Sequence, residues 1–378
     1  MPNQPNIYLD NNATTRIDER VLEAMLPYFT DLYANSTSQH IAGLTVNEAV
    51  ENAAWQTAGL INADAEEIIF TSGATEAINL AIKGLVNQDR KHIITLVTEH
   101  KAVLETCDFM ESNGFEISYL PANPDGLLDL NLLHESITDK TLVFIAMLSN
   151  NETGVIQNVS EISEILKSKN ILFMCDATQA VGKIPVDVKT LGIDLLTLSA
   201  HKFYGPKGIG ALYVSAKAGL KLLPQISGGG QQRKLRSGTL NVPGIIGLGK
   251  ASEIAQNELE NNKKNIKILR DKLEKSLLQF EGSFVNGNVE NRIYNTSNIC
   301  FPGVNSEKLI MALGNILVSN GASCSSVTSE ASHVLKAMGL SDEKALSSIR
   351  FSLGRFNTLE EIDISVEKVL DLAKKLKV

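Results

Sequence analysis

Short apolar runs alternate with helical patterns between about residue 60 and residue 215. Strand-like runs include 93–97, 142–146 and 171–176, and stretches with helical spacing lie between such runs. Apolar runs of this kind are typical of strands that are buried on both faces, as in parallel sheets. The alternation predicts an α/β architecture, in which a large domain has a mostly parallel sheet flanked by helices.

The pattern changes from about residue 245 onward. Residues 251–278 form one long, charged, amphipathic stretch, which predicts a helix that links two domains. The remainder of the chain mixes strand-like runs, such as 296–301, with helical patterns. This mixture predicts a second, small α+β domain.

Lys202 lies just after the apolar run 193–198 and just before a glycine-rich turn at 205–210. A lysine held where a buried strand gives way to a loop can lose water, which lowers its pKa, and the neutral amine can then form a Schiff base with an aldehyde. Taken alone, a lysine beside a histidine is more commonly a solvated surface pair. The catalytic interpretation of Lys202 therefore depends on a second element upstream.

Asp176 ends the apolar run 171–176 and is that second element. An aspartate at the end of a buried strand commonly caps the next helix. With a Schiff-base lysine one strand later, another role appears, because pyridoxal phosphate needs a lysine for its aldehyde and an acid for its ring nitrogen. Asp176 would keep that nitrogen protonated, and Gln179 could donate a hydrogen bond to the ring hydroxyl oxygen.

The segment after the strand-like run 67–70 fits a phosphate site. A turn of small residues, 71–76, precedes a helical pattern, so that Ala74 and Thr75 lie where the free N–H groups of a helix start face an anion. The alternative is an ordinary capped helix start. The lysine and aspartate described above favour the phosphate.

Composition and charge restrict the class of protein further. The chain has 378 residues and a formal net charge of −8 at pH 7, which argues against a nucleic-acid partner. The first residues are polar and no apolar run is long enough for a bilayer, so we expect neither a signal peptide nor a membrane span. The four cysteines show neither metal-ligand spacing nor a disulfide framework, so we expect a cytoplasmic protein without a metal site.

Several stretches of the chain together resemble the cysteine desulfurases of the NifS/IscS type, which are fold-type I pyridoxal-phosphate enzymes of aminotransferase class V. In the order in which that family carries them, the stretches are 8–15, 71–76, 98–100, 150–154, 176–179, 199–202, 236–239, 324–326 and 350–355. Agreement in order along the whole chain is far more specific than any single motif. The resemblance implies a seven-stranded sheet in a large domain, 16–255, and a small domain made of 1–15 and 256–378.

The resemblance also implies roles for individual residues, with pyridoxal phosphate as cofactor and L-cysteine as substrate. The cofactor would be bound by Lys202, Ala74, Thr75, His100, Asn151, Asp176, Gln179, Ser199, His201 and Thr239. Lys202 and His100 would move protons, and the ring of His100 would stack on the cofactor. Arg350 and Asn151 would bind the substrate, with the planar guanidinium on its α-carboxylate. Thr239 would reach the phosphate of the partner subunit, which makes the protein an obligate homodimer.

Cys324 lies in the polar stretch 319–330, which has neither strand nor helix spacing and predicts an exposed, mobile loop. Free cysteine prefers the protein core, and an accessible thiolate is reactive, so a cysteine here is unusual. The resemblance makes Cys324 the nucleophile that takes the substrate sulfur as a persulfide and passes it to an acceptor, such as an iron–sulfur scaffold protein. The family commonly has Gly-Ser-Ala-Cys where residues 321–324 are Gly-Ala-Ser-Cys.

Three alternatives remain open at this point. A related class V enzyme, such as a selenocysteine lyase or an aminotransferase, would share the cofactor residues, but a transaminase needs no mobile thiol. A non-catalytic scaffold is disfavoured by the joint presence of Lys202, Asp176, His100, Arg350 and Cys324. A dinucleotide-binding enzyme is disfavoured because no strand-like run leads through a full Gly-x-Gly-x-x-Gly into a helix.

Overall fold

The elements of the fold are those of a computed structural model that describes residues 6–86, 88–219, 222–321 and 330–378. The strands are β1 (Ile7–Tyr8), β2 (Ile68–Thr71), β3 (His92–Leu96), β4 (Glu116–Leu120), β5 (Thr141–Met147), β6 (Leu172–Asp176), β7 (Leu195–Ser199), β8 (Gly210–Val214), β9 (Phe284–Val285), β10 (Thr296–Cys300), β11 (Ile316–Leu317) and β12 (Ser348–Ser352). The α-helices are α1 (Glu19–Met25), α2 (Pro27–Thr30), α3 (Ile41–Leu60), α4 (Ala74–Lys83), α5 (Lys101–Glu111), α6 (Leu130–Ser136), α7 (Val159–Ser168), α8 (Ala216–Gly219), α9 (Val242–Leu277), α10 (Ser306–Leu313), α11 (His333–Ala337), α12 (Asp342–Leu346) and α13 (Leu359–Leu376).

The large sheet has seven strands in the order β2-β8-β7-β6-β5-β3-β4. Neighbouring strands are parallel except at β8, which is antiparallel to both β2 and β7. Every residue of β3, β5, β6 and β7 is buried, because helices cover both faces of the sheet, and this explains the uninterrupted apolar runs. The predicted mostly parallel, seven-stranded sheet is confirmed.

Two apolar cores lie on the two faces of this sheet. On one face, Val46 and Val50 of α3 join Ile245 and Leu248 of α9 in a core with the sheet residues of that side. On the other face, helices α4 and α5 cover the sheet with a separate apolar cluster that includes Ile78. The sheet is therefore sandwiched between helical layers, as the alternation of the sequence predicts.

Helix α9 begins at Val242, nine residues before the predicted start at 251. Glycines at its start obscured the helical spacing in the sequence, because glycine is a poor helix former. The glycines are explained by packing: a Cβ on Gly249 would lie 2.6 Å from the Cα of Ala53, so only glycine lets α9 approach α3 this closely. The side chain of Asn241 caps the helix start by accepting from the N–H of Gly244.

A third core is built from both ends of the chain. Ile7 and Leu9 pack with Ile266 and Leu273 from the second half of α9, and with residues of β10, β12 and α13. Strand β1 pairs with β11, and β12, β10 and β9 form an antiparallel sheet. The domain boundaries at 15/16 and 255/256 stay predictions. Within the described residues, no helix has the length and apolar character needed to cross a bilayer.

Candidate active site

A cavity of about 630 Å³ opens at the carboxyl ends of the central parallel strands. Met147, Asp176 and Ser199 are the last residues of β5, β6 and β7, and all three line this cavity. Open α/β sheets bind ligands at this edge, because the strand ends leave a crevice there. Of the predicted site residues, the cavity is lined by Ala74, Thr75, His100, Asn151, Asp176, Gln179, Ser199, His201, Lys202 and Arg350.

Two predicted site residues are not part of this group. Thr239 is exposed and does not belong to the described lining of the cavity. Its contact with the phosphate of a partner subunit therefore stays a prediction. Cys324 lies outside the described residues, so its predicted role stays a prediction. Gly321 is the last described residue before Cys324, and it lines the cavity.

Lys202 ends a one-turn 3-10 segment, Ala200–Lys202, that follows β7 directly. Its Nζ donates to the carbonyl oxygen of Asn12 at 2.6 Å and to that of Ala13 at 2.8 Å. Burial, followed by the positive charge of Arg350, lowers the pKa of Lys202 to about 8. About a tenth of the amine is therefore neutral at pH 7, far more than for a lysine in water.

Asp176 is buried at the end of β6, the strand beside β7. Its Oδ1 accepts from the backbone N–H of Thr178 at 2.9 Å and from the hydroxyl of Thr197 at 3.2 Å. These two bonds hold the carboxylate in place without using Oδ2. An oriented carboxylate of this kind suits a cationic N–H of a ligand.

The turn before α4 has the properties of an anion site. Gly73 has φ +155° and ψ −178°, a conformation that is essentially restricted to glycine. The backbone of Gly210 also approaches closely, because a Cβ on Gly210 would lie 2.8 Å from the Cα of Gly73. The first N–H groups of α4 have no partner within the helix. Glu76 in this first turn is paired with Arg236 (Nε–Oε1 2.8 Å), which reduces the repulsion that its charge would exert on an anion.

His201 precedes Lys202 in the chain and lines the same cavity. Its Nδ1 is 3.1 Å from the hydroxyl of Thr14, which orients the ring. Burial, together with the positive charges of Lys202 and Lys207, lowers the pKa of His201 to about 4. The ring is therefore neutral at pH 7 and can serve an anion as a hydrogen-bond donor.

His100 precedes α5 and caps its start. Its Nδ1 accepts from the backbone N–H of Ala102 at 3.1 Å. Burial lowers the pKa of His100, and Asp176 opposes this shift. A neutral imidazole whose Nδ1 accepts must carry its proton on Nε2, so this geometry assigns the N–H to Nε2.

Arg350 lies in β12 of the small antiparallel sheet, and its side chain is buried. Its Nη2 donates to Oδ1 of Asp10 at 2.6 Å, and its Nη1 donates to the carbonyl oxygen of Asn151 at 2.9 Å. Among the described atoms, its Nε is buried without a partner. A carboxylate ligand would add charge-assisted bonds to a guanidinium that two acceptors already hold in place.

Sequence reasoning missed the contribution of the N-terminal segment. The carbonyl oxygen of Asn12 accepts from both Lys202 and the Nε2 of Gln179 (2.9 Å), and its side chain donates to Thr296. Asp10, the partner of Arg350, belongs to the same segment. The sole sequence signal was the presence of both residues in the stretch 8–15 of the family pattern.

The residues of the cavity fit pyridoxal phosphate. An amine of lowered pKa, an oriented carboxylate and an anion site surround one space, as an aldehyde, a ring nitrogen and a phosphate require. Among the described atoms, the hydroxyl of Thr178 is buried without a partner and its residue lines the cavity, so a ligand acceptor or donor would satisfy it.

Known proteins resemble this chain over nearly its whole length. The family model described as aminotransferase class-V matches residues 7–364. The cysteine desulfurase IscS of Rickettsia bellii is 46% identical over 376 residues, which are 98% of this chain and 92% of the relative. That of Colwellia psychrerythraea is 48% identical over 369 residues, which are 96% and 91%. The solved structure of a NifS-like protein has a TM-score of 0.92 at 39% identity and covers 98% of this chain and 100% of its own.

The sequence comparisons and the structural comparison point to the same family. The matched residues include every described residue that lines the cavity, from Asp10 to Arg350. The chain belongs to the aminotransferase class-V family, and with it to the fold-type I enzymes that depend on pyridoxal phosphate.

Proposed function

We propose that this protein is a pyridoxal-phosphate-dependent cysteine desulfurase, which takes sulfur from L-cysteine and releases L-alanine. One observation carries the proposal: a single cavity brings together Lys202, with a pKa of about 8, and Asp176, His100 and Arg350. The relatives named cysteine desulfurase, at 46% and 48% identity over almost the whole chain, support the choice of reaction.

The cofactor would be held by residues at the ends of β6 and β7 and at the start of α4. Lys202 would bind the aldehyde, Asp176 would bind the ring nitrogen and Gln179 would bind the ring oxygen. Ala74, Thr75, Ser199 and His201 would hold the phosphate, with helix N–H groups and a neutral imidazole as the donors. When bound, pyridoxal phosphate supplies a reactive aldehyde and a protonated ring that accepts the electron pair released at the substrate Cα.

Arg350 binds the α-carboxylate of the substrate, and Asn151 helps to place it. The guanidinium is held by Asp10 on one side and by the carbonyl oxygen of Asn151 on the other, so its orientation is fixed before the substrate arrives. Arg350 and Lys202 line the same cavity, so the amine of Lys202, once free of the aldehyde, would be the base that removes the α-proton of the bound substrate.

His100 would serve in proton transfer and would stack on the cofactor ring. Its geometry suits this role, because the cap to Ala102 fixes the ring and leaves the Nε2 proton for exchange in the cavity. A neutral imidazole with its proton on Nε2 can give that proton and then take one back at the same nitrogen.

Cys324 is the nucleophile of the sulfur transfer, by resemblance to the family. Its thiolate attacks the substrate Sγ, a bond between the two sulfurs forms, and the Cβ–Sγ bond breaks. Cβ gains a proton to become the methyl group of alanine. The sulfur of Cys324 is oxidised while the substrate carbon is reduced, so cysteine and thiol give alanine and persulfide without an external oxidant.

We further propose a cytoplasmic homodimer that passes its sulfur to an acceptor such as an iron–sulfur scaffold protein. Large apolar side chains on the first helices and their connections, among them Leu26, Phe29 and Tyr33, are exposed in the single chain, which supports a partner surface there. The three described cysteines, Cys107, Cys175 and Cys300, are buried and unpaired, which fits a reducing compartment.

The decisive experiment is the intact mass of the cofactor-loaded protein after exposure to L-cysteine without reductant, beside Cys324→Ala. We expect the wild type to gain the mass of one or more sulfur atoms and to release alanine, and the variant to keep its mass. Treatment with a thiol reductant should remove the added mass. Alanine without any gain in mass would point to a lyase, and 3-mercaptopyruvate with an aminated cofactor would point to an aminotransferase.

A further inference from the structure

We propose that Lys183 is a positioning residue of the active site, which fixes the side-chain amide of Gln179 so that its N–H, not its oxygen, is offered to the cofactor. This inference rests on the proposed function, because it concerns the same cofactor site. Neither the family pattern in the sequence nor the reaction described above uses Lys183.

Lys183 lies in the turn that follows β6, four residues after Gln179. Its side chain is buried, and its Nζ donates to Oε1 of Gln179 at 2.8 Å. A buried lysine nitrogen needs an acceptor, and this amide oxygen supplies it. Burial, followed by the positive charges of Lys202 and Arg350, lowers the pKa of Lys183 well below its usual range. Either protonation state still donates an N–H to the amide oxygen.

The amide of Gln179 is constrained at both ends. Oε1 faces the donor Lys183, while Nε2 donates to the carbonyl oxygen of Asn12 at 2.9 Å. A flipped amide would set its oxygen against the Asn12 carbonyl, which would break that hydrogen bond, and it would also end the hydrogen bond that Lys183 donates to Oε1. The backbone carbonyl cannot donate, and therefore only one orientation of the amide is satisfied.

The fixed orientation has a consequence for the cavity, which Gln179 lines. One hydrogen of Nε2 is used by Asn12, and the second is available to an acceptor on a ligand. The hydrogen bond from Lys183 also polarises the amide, and a polarised amide is a stronger donor. Lys183 thus acts on the cofactor's ring oxygen through Gln179, without touching the cofactor itself.

The test is a pH titration of the visible absorbance of the cofactor-loaded protein, with Lys183→Met beside the wild type. A hydrogen bond donated to the ring oxygen favours the deprotonated form of the lysine-bound cofactor. We therefore expect the midpoint of the titration to rise in Lys183→Met, and kcat/KM for L-cysteine to fall by about three- to tenfold, the usual effect of one lost hydrogen bond. Lys189→Met, which removes an exposed lysine from the same part of the chain, should leave the midpoint unchanged.

A second substitution tests whether the effect passes through Gln179. In a Gln179→Leu background, Lys183→Met should add no further shift of the midpoint, because the amide that it positions is absent. Lys183→Gln keeps an N–H donor, so it should recover part of the wild-type midpoint, and it serves as the test variant if Lys183→Met does not fold.

The inference is overturned if Lys183→Met lowers thermal stability but leaves the midpoint unchanged, or if its shift is equally large without Gln179. Failure of the proposed function looks different. In that case the wild type itself would hold no pyridoxal phosphate or would release no alanine from L-cysteine.

Discussion

The reactivity of Lys202 results from two opposed influences on one nitrogen. Burial and the charge of Arg350 favour the neutral amine, while Asp176 and Asp10 favour the ammonium. The carbonyl oxygens of Asn12 and Ala13, both hydrogen-bond acceptors, also stabilise the charged form in place. The balance is a pKa of about 8, close enough to neutrality for the amine to react while it stays hydrogen-bonded.

This balance predicts how the cofactor-free protein takes up pyridoxal phosphate. Because the neutral amine reacts and its fraction rises with pH, the uptake rate should increase about tenfold per pH unit below about 8 and level off above it. Stopped-flow measurement of the visible absorbance checks this. Lys202→Ala should give no lysine-bound absorbance at any pH. A rate in the wild type that is flat between about pH 6 and 9 would contradict the lowered pKa.

The reactive residues of the cavity were easier to predict from the sequence than the residues that hydrogen-bond to them. Lys202 and Asp176 follow neighbouring buried strands, so the rule for strand ends brings them together. The partner of Arg350 is Asp10, 340 residues away, and such a contact between two ends of a chain leaves no local pattern. Lys183 was missed because one polar residue in a turn gives no sign of burial.

At the level of elements, burial explains both the success and the limit of prediction. Strands β5, β6 and β7 were apparent as apolar runs because both of their faces are covered. The antiparallel direction of β8 was not apparent, because a strand buried on both faces is apolar in either direction. The early start of α9 was hidden by glycines that its contact with α3 requires.

The contact between α3 and α9 gives a prediction for stability. A Cβ on Gly249 would lie 2.6 Å from the backbone of Ala53, so Gly249→Ala should lower the free energy of unfolding by about 1–3 kcal/mol despite the better helix propensity of alanine. Gly59→Ala, in α3 itself, is the matched control, because its new Cβ would meet its nearest neighbour at 3.8 Å. It should be neutral or stabilising by up to about 1 kcal/mol. Urea denaturation measures both, and equal effects would contradict the packing argument.

At the level of the whole molecule, the cavity lies where separate cores meet. The large sheet supplies Lys202 and Asp176, whereas Arg350 and Asp10 come from elements of the third core, which joins both ends of the chain. Helix α9 contributes apolar residues to the first core and to the third, and thereby ties the two together. The cofactor residues and the substrate guanidinium are thus held on different packed units, and their relative position depends on that helix.

Thr239 bears on whether one active site is built from two chains. It is exposed in the single chain and absent from the described lining of the cavity, which agrees with a phosphate contact made in a partner. A heterodimer of one Thr239→Val chain and one Lys202→Ala chain separates the two possibilities. Only the Thr239→Val chain keeps Lys202, so the heterodimer has one site that can bind the cofactor aldehyde. If the contact crosses the dimer, that site receives the intact Thr239 of the Lys202→Ala chain.

If the contact crosses the dimer, this heterodimer should bind pyridoxal phosphate at one site with wild-type affinity. The Thr239→Val homodimer should bind about tenfold more weakly, since each site then lacks one hydrogen bond to a charged group. Two affinity tags allow purification of the heterodimer, and titration of the visible absorbance gives the affinity. If its affinity equals that of the Thr239→Val homodimer, Thr239 acts within its own chain. Recovery of wild-type affinity requires a shared active site, because neither parent chain holds both intact residues.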